Sequence, residues 1–112
     1  MRFTTTIKSD REFRRLYNKG VSAVRPCLVV YARRTQRDIN RLGFTVTTKV
    51  GKAVTRNRVR RRLREIYRLH EEGLTPGFDL VVVARTRAAR VSYARLEAEF
   101  LSACQELGVA FS

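Results

Sequence analysis

The chain has 112 residues, with 24 Lys and Arg against 10 Asp and Glu, which gives a formal net charge of +14. One domain of this length buries a single compact core, and hydrophobic residues make up 44% of the chain, enough to fill it. So large an excess of positive charge is typical of proteins that bind a polyanion, and it favours nucleic acid over an acidic membrane surface. We therefore expect one nucleic-acid-binding domain over residues 1–112.

The composition also argues against a catalytic or metal site in the polypeptide itself. His70 is the one histidine, and it follows Ile66 and Tyr67 at helical spacing, which favours a structural role at the edge of a core. Cys27 and Cys104 lie far apart and have neither the spacing of a metal site nor the density of a disulfide scaffold. We expect two free thiols, no catalytic residue and no metal ligand.

Nothing in the sequence indicates membrane insertion or export. It contains no apolar run near the roughly 20 residues that span a bilayer. Its first ten residues lack the apolar stretch of a signal peptide. We therefore expect a cytoplasmic protein.

A short helix is predicted near the N-terminus. Ser9 and Glu12 have the spacing of a capping box, in which the Ser hydroxyl accepts a hydrogen bond from the amide three residues later. The helix spans about residues 10–19 and ends at Gly20. Its apolar face holds Phe13, Leu16 and Tyr17.

Two strands are predicted next. Residues 27–32 are mostly apolar, with β-branched and aromatic members, and follow a proline, which predicts a strand. The polar residues 33–40 then predict a hairpin loop. Residues 41–48 alternate in polarity, which predicts a second strand, antiparallel to the first, whose apolar face holds Leu42, Phe44 and Val46.

The second half of the chain predicts a helix, a strand and a helix. Apolar residues recur at helical spacing over 55–72, and the continuous apolar run 78–84 has the length of a buried, central strand. Ser92 is placed to cap a last helix that ends before Gly108. The order of elements predicts an α+β fold with helices packed on a mainly antiparallel sheet.

Positive charge is concentrated on the helix at 55–72. At 100° per residue, one side of it is apolar and the opposite side carries Asn57, Arg60, Arg61, Arg64 and Arg68. A solvated helix usually places Glu at four-residue steps, whereas Arg60, Arg64 and Arg68 follow one another without that relief. The pattern predicts a face that binds phosphate, for which arginine is well suited.

Residues 53–65 read Ala-Val-Thr-Arg-Asn-Arg-Val-Arg-Arg-Arg-Leu-Arg-Glu. This segment resembles the pattern Ala-Val-x-Arg-Asn-x-x-Lys-Arg-x-x-Arg-Glu of the bacterial ribonuclease P protein subunit. The order of elements and three aromatic positions extend the resemblance over nearly the whole chain. It implies a single-layer, four-stranded, mainly antiparallel sheet with three helices, in which the basic helix lies in a left-handed β-α-β crossover.

The resemblance implies a subunit of the enzyme that removes the 5′ leader from precursor tRNA. Catalysis would come from the RNA component, which would also hold most of the Mg²⁺, and no cofactor is expected for the protein alone. The leader-binding cleft would be lined by Phe13, Tyr17 and Tyr31. The catalytic RNA would bind Lys49, Lys52, Arg56, Asn57, Arg58, Arg60, Arg61, Arg64 and Arg68.

The sequence departs from the family pattern in three ways. The family's lysine is Arg60 here, only Arg2 and Lys8 supply positive charge before the first helix, and Arg25 with Pro26 replaces a more polar pair. The resemblance therefore does not extend to a basic cluster at the N-terminus.

Other interpretations stay open from the sequence. A ribosomal or ribosome-associated protein would share the size, charge and RNA partner. A DNA-binding module would insert the basic helix in the major groove, although no helix-turn-helix precedes it. Phe13 and Tyr17 are one helical turn apart, so periodicity alone favours a core position for both. The oligomeric state is not determined by the sequence.

Overall fold

The computed structural model describes residues 3–110 and contains, within them, five strands, three α-helices and two 3-10 turns. The elements are β1 (Thr4–Thr6), α1 (Asp10–Lys19), β2 (Val21–Val24), β3 (Leu28–Arg34), β4 (Asn40–Thr45), α2 (Ala53–His70), β5 (Phe78–Ala84) and α3 (Tyr93–Glu106). The 3-10 turns are Glu71–Gly73 and Thr86–Ala89. None of the helices in this part of the chain has the length and apolar character to cross a membrane.

The predicted helix caps are confirmed. The Ser9 hydroxyl accepts a hydrogen bond of 3.2 Å from the Glu12 amide, and the Ser92 hydroxyl accepts one of 3.1 Å from the Arg95 amide. The Glu12 carboxylate does not complete a capping box, because it accepts a hydrogen bond of 2.9 Å from Arg41 on β4 instead. The capping residue thus starts α1, and the acid that follows it ties the helix to the sheet.

The strands form one mixed sheet in the order β1-β4-β5-β3-β2. The expectation of a four-stranded, mainly antiparallel sheet is wrong, since β1–β4 and β4–β5 pair in parallel while β3–β5 and β2–β3 pair antiparallel. The predicted β3–β4 hairpin is also wrong, because β5 lies between those two strands. The loop after β3 instead crosses the start of β5, and α2 lies in the connection from β4 to the parallel strand β5.

Helices cover both faces of the sheet rather than one. The larger core lies under α2 and α3, and the apolar stripe predicted for α2 is fully buried there. On the opposite face, Leu16 of α1 packs with Ile7 and Val81 in a smaller core. The smaller core leaves part of the second face uncovered, and the aromatic residues of α1 lie beside that uncovered part.

Buried polar groups fix the N-terminal strand beside the end of α2. The Tyr67 hydroxyl lies 2.7 Å from the Thr4 hydroxyl and accepts a hydrogen bond of 3.3 Å from the Asn40 amide. Asn40 also accepts a hydrogen bond of 2.9 Å from the Phe78 amide, and the Thr4 hydroxyl donates to Glu71. Four elements therefore share one network, so β1 has a fixed register despite its three residues.

A second buried acid connects α3 to β3. Glu99 accepts a hydrogen bond of 2.8 Å from the Cys27 amide and one of 2.6 Å from Arg95. Burial alone would raise the pKa of Glu99, but these bonds outweigh it and hold the pKa below its ordinary value.

Cys27 and Cys104 are both free thiols, as predicted. Both are buried, and burial raises the pKa of Cys104 to about 12.

The strand β2 forms one edge of the sheet. Its side chains Val21 and Val24 are 61% and 59% exposed, whereas Ala23 between them is buried. Among the described residues, β2 pairs only with β3. The outer edge of β2 is therefore open and apolar.

Candidate nucleic-acid interface

The basic side of α2 faces solvent, as its periodicity predicts. On this side Asn57, Arg61, Arg64 and Arg68 are exposed and Arg60 is half-buried. Of the other residues predicted to bind RNA, Lys49, Lys52 and Arg58 are exposed and Arg56 is half-buried. The fold thus brings most of the predicted residues to one surface, called here the basic surface of α2.

Several of these side chains already have partners. Arg68 donates two hydrogen bonds to Glu65, of 3.1 and 2.6 Å, so the expectation that Arg68 lacks an acidic neighbour is wrong. Glu65 precedes it by three residues, which places the two side chains together on the helix. Arg58 donates to the Ala89 carbonyl at 3.0 Å, which holds the turn that leads to α3. Arg58 and Arg68 therefore have structural contacts besides any RNA contact.

By contrast, Arg61 and Arg64 have no hydrogen-bond or ion-pair partner among residues 3–110. The start of α2 adds to the positive field around them. Lys52 is the N-cap, and the first turn holds no acidic residue. The positive end of the helix dipole is therefore not neutralised locally. A phosphate near Arg61 or Arg64 would meet a free guanidinium group, and a separate phosphate near Lys52 would meet the uncompensated helix end, more than two turns away.

The three aromatic residues predicted to line a cleft lie together on the α1 side of the sheet. The rings of Tyr17 and Tyr31 meet edge to face, with centroids 5.0 Å apart. Phe13 lies over Gly43 of β4, where an added Cβ would come within 2.6 Å of the ring. Tyr17 is 37% exposed, and its hydroxyl lies 2.7 Å from the Thr45 hydroxyl. None of the three rings is fully buried, so each has surface that a base could contact.

A groove connects the aromatic residues to the basic surface of α2. It forms where β1 ends at Thr6 while its neighbour β4 continues to Thr45, which leaves the edge of β4 open between α1 and α2. One part is lined by Phe13, Phe44 and Arg64, and the adjoining part by Phe13, Tyr17 and Phe44. Arg60 lines both parts. The predicted RNA-binding and leader-binding residues therefore meet at Arg60.

Sequence reasoning did not assign Phe44 and Thr45 to this site. The alternation of β4 placed Phe44 on the apolar face, where it does pack against the larger core. The Phe44 ring is exposed at the groove only because β1 ends early, and the end of β1 depends on tertiary contacts.

Two basic residues precede the first helix in the sequence. Arg2 lies outside the described residues, and Lys8 is exposed.

Comparison with known proteins gives one consistent family. The family profile described as Ribonuclease P matches residues 1–108. A relative from Natranaerobius thermophilus, named ribonuclease P protein component, is 42% identical over 96 residues, which is 86% of this chain and 84% of the relative. A relative of the same name from Alkaliphilus oremlandii is 35% identical over 109 residues, covering 97% of this chain and 96% of the relative.

Solved structures with the same fold carry the same description. The RNase P protein of Staphylococcus aureus superposes with a TM-score of 0.86 at 30% identity, covering 95% of this chain and 97% of that one. The RNase P protein of Thermotoga maritima gives a TM-score of 0.79 at 32% identity, covering 87% and 92%. The mixed sheet and three helices are therefore shared with these proteins over almost their whole length.

Proposed function

Because the chain belongs to the ribonuclease P protein family and is the protein component of that endoribonuclease, we propose that it binds two RNA molecules through two separate surfaces. The basic surface of α2 binds the catalytic RNA. The aromatic residues Phe13, Tyr17 and Tyr31 bind the single-stranded 5′ leader of precursor tRNA. The enzyme removes that leader in the cytoplasm.

The role of α2 is supported by the distribution of its charge. Phosphate contacts from Arg and Lys supply much of the affinity of proteins for nucleic acid. Arg61 and Arg64 are exposed and unpaired within the described part of the chain, and arginine can bind a phosphate with two parallel hydrogen bonds. An extended charged surface of this kind suits a large, folded RNA.

The role of the aromatic residues is supported by their exposure and spacing. Tyr17 is 37% exposed beside Tyr31, and Phe44 extends the apolar lining toward α2. Single-stranded RNA binds such surfaces by stacking its bases on aromatic rings while nearby cations hold the backbone. The observation that carries the proposal is that the groove joins Phe13, Tyr17 and Phe44 to Arg60.

The acidic residues do not offer a protein-held site for the Mg²⁺ that the reaction needs. Among residues 3–110 no three His, Cys, Asp or Glu side chains are grouped as metal ligands. Asp79 is bound to Arg41, Glu99 to Arg95 and Glu65 to Arg68. Our proposal that the RNA component holds the metal follows from the family resemblance, and no step of the reaction is assigned to a metal on the protein.

Reconstitution with a bacterial ribonuclease P RNA tests the proposal. At a magnesium concentration where the RNA alone cleaves precursor weakly, the protein should restore cleavage, because its charge offsets repulsion between two RNA molecules. The protein alone should not remove the leader. One matched Staphylococcus aureus structure is of a mutant with defective mRNA degradation activity, so the RNA-free control should also include an unstructured mRNA.

A matched pair of variants makes the result specific. The double change Arg61→Gln and Arg64→Gln should require more protein for half-maximal cleavage. The control change Lys8→Gln and Arg11→Gln removes the same charge from exposed residues outside the proposed surfaces and should have a smaller effect. Leader removal by the RNA-free protein, or equal effects of the two double variants, would contradict the proposed assignment.

A further inference from the structure

A second cluster of arginines lies on the other side of α1, away from the aromatic residues. It surrounds a depression at the start of β5 whose lining contains five arginines and one carboxylate. The arginines are Arg15 of α1, Arg33 and Arg34 of β3, Arg37 of the β3–β4 loop, and Arg41 of β4. The sequence analysis assigned none of them to RNA.

The acidic groups at this depression, Asp79 and Glu12, are both bound by Arg41. Its guanidinium group donates two hydrogen bonds to Asp79, of 2.9 and 2.7 Å, and a third of 2.9 Å to Glu12. These bonds occupy both oxygens of Asp79 and, with the side chain of Arg41 only 17% exposed, hold it in place. Arg41 therefore acts as the structural member of the cluster, and the other four arginines outnumber the single carboxylate charge that Arg41 leaves unbalanced.

Those four arginines have no ion-pair partner within residues 3–110. Arg15, Arg34 and Arg37 are exposed and Arg33 is half-buried. Four uncompensated guanidinium groups around one depression repel one another. A bound anion would remove that repulsion.

The segment that carries the cluster is fixed rather than loose. The Thr35 amide donates to the Gly77 carbonyl at 2.7 Å, and the Arg37 amide donates to the Thr35 hydroxyl at 3.2 Å. Gly77 has φ +96°, and an added Cβ would lie 2.9 Å from the Arg37 carbonyl, so only glycine lets the two segments approach this closely. The guanidinium group of Arg34 lies 5.3 Å from the centre of the Phe78 ring. Less ordering is therefore needed when an anion binds.

The two sides of α1 carry different chemistry. Tyr17 and Arg14 lie on the side toward Thr45, whereas Glu12 and Arg15 lie on the side toward Arg41. With Leu16 against the sheet, α1 separates an aromatic surface from one that is rich in arginine. The cationic side has no aromatic ring in its lining that a base could stack on, so it matches a phosphate backbone rather than unpaired bases.

We propose that Arg15, Arg33, Arg34 and Arg37 form a second RNA-binding surface that holds phosphodiester groups, separate from the basic surface of α2. The inference rests on the proposed function, since it assumes that RNA is the polyanion present. The phosphates could belong to the catalytic RNA or to the precursor tRNA. The test below distinguishes these two sources.

The test compares two triple variants in the assembled system. The test variant changes Arg15, Arg33 and Arg37 to Gln and keeps Arg34, whose contact with Phe78 supports the loop. The control variant changes the exposed residues Lys8, Arg11 and Lys19 to Gln, none of which lines the depression. Thermal melting first establishes that both variants fold.

Two binding titrations over a range of salt concentrations then give the result. One measures protein binding to the catalytic RNA, and the other measures precursor tRNA binding to the holoenzyme. Removing one phosphate-binding side chain should reduce the slope of log K against log salt by about 0.7 to 0.9. We expect the test variant to lower the slope by about two to three in one titration, and that titration identifies the RNA bound.

Slopes that match the control variant in both titrations would overturn the inference. An acidic protein as the true partner would give that same result. The proposed function is tested separately, because a holoenzyme that contains the test variant and still removes the leader at low magnesium would leave that function intact.

Discussion

Tyr17 combines a partly exposed side chain with an anchored hydroxyl group. Its hydroxyl lies beside that of Thr45, and its ring meets Tyr31 edge to face. A stacking role depends on the ring, whereas a purely structural role would depend mainly on the hydroxyl contact. Two substitutions at this one position can therefore separate the alternatives.

Changing Tyr17 to Leu should weaken binding of precursor tRNA by about 1–3 kcal/mol relative to mature tRNA, since the stacking plane is removed. Changing Tyr17 to Phe should preserve most of the affinity, because the ring remains. The measurement is the affinity of the assembled holoenzyme for precursor and for mature tRNA. Normal precursor binding by a folded Tyr17→Leu protein would show that this ring does not contact the leader.

Glu99 provides a pH-dependent contribution to stability. Its pKa is lowered in the folded state, so the ionised form stabilises the fold above the pKa of the unfolded chain, about 4.3. This stability is lost as the pH falls through the folded-state pKa. Changing Glu99 to Gln should lower the free energy of unfolding by about 1–2 kcal/mol at pH 7, with the difference from the parent shrinking toward pH 3.

Urea unfolding at several pH values measures this difference. Changing Glu106 to Gln is a suitable control, because Glu106 also pairs with an arginine but its side chain is 54% exposed. If the Glu99→Gln difference is the same at pH 3 as at pH 7, the ionised carboxylate is not its source.

At the scale of the elements, local patterns predict helices well and strand partners poorly. The capping serines and apolar stripes predict α1, α2 and α3 because these signals are contained within one segment. The run 78–84 correctly predicts a central strand, because it is apolar on both faces. The sequence does not reveal that β5 separates β3 from β4, because strands that are adjacent in the chain usually pair.

Sequence reasoning missed two short strands: β2, which pairs with the next strand β3, and β1, which depends on distant contacts. β1 has three threonines, and Thr4 is held by Tyr67 and Glu71 from the end of α2.

The candidate site also depends in part on distant contacts that local patterns do not predict. The arginines of α2 follow from helical periodicity, but Phe44 reaches the groove only because β1 ends early, and Arg15 meets Arg33 only because α1 packs across β3.

The element α2 allows a direct test of the assembly surface. Changing Arg61 to Gln should weaken binding to the catalytic RNA and reduce the salt slope by about one, since this exposed side chain has no partner in the described structure. Changing Arg58 to Gln should also lower the melting temperature, because Arg58 donates to the Ala89 carbonyl. A lower melting temperature of the Arg61→Gln protein, or an unchanged salt slope of its RNA binding, would contradict the proposed difference in roles between Arg61 and Arg58.

At the scale of the whole molecule, the net charge of +14 opposes the compact state. Anions that bind only the folded protein should therefore stabilise it by mass action. We expect tens of millimolar sulfate to raise the melting temperature by several degrees, and sodium chloride at equal ionic strength to raise it less. Equal shifts with the two salts would indicate general screening without specific anion sites.

The open edge of β2 sets a limit on that stabilisation. Exposed backbone groups beside Val21 and Val24 form a template on which a second copy could add a strand. Mutual repulsion between highly cationic molecules keeps such edges apart, and salt weakens this protection. The anions that stabilise each folded molecule therefore also weaken the repulsion that opposes edge-to-edge association. The colloidal stability of the free protein should accordingly pass through a maximum as salt is added. Bound RNA would both stabilise the fold and keep the protein molecules apart.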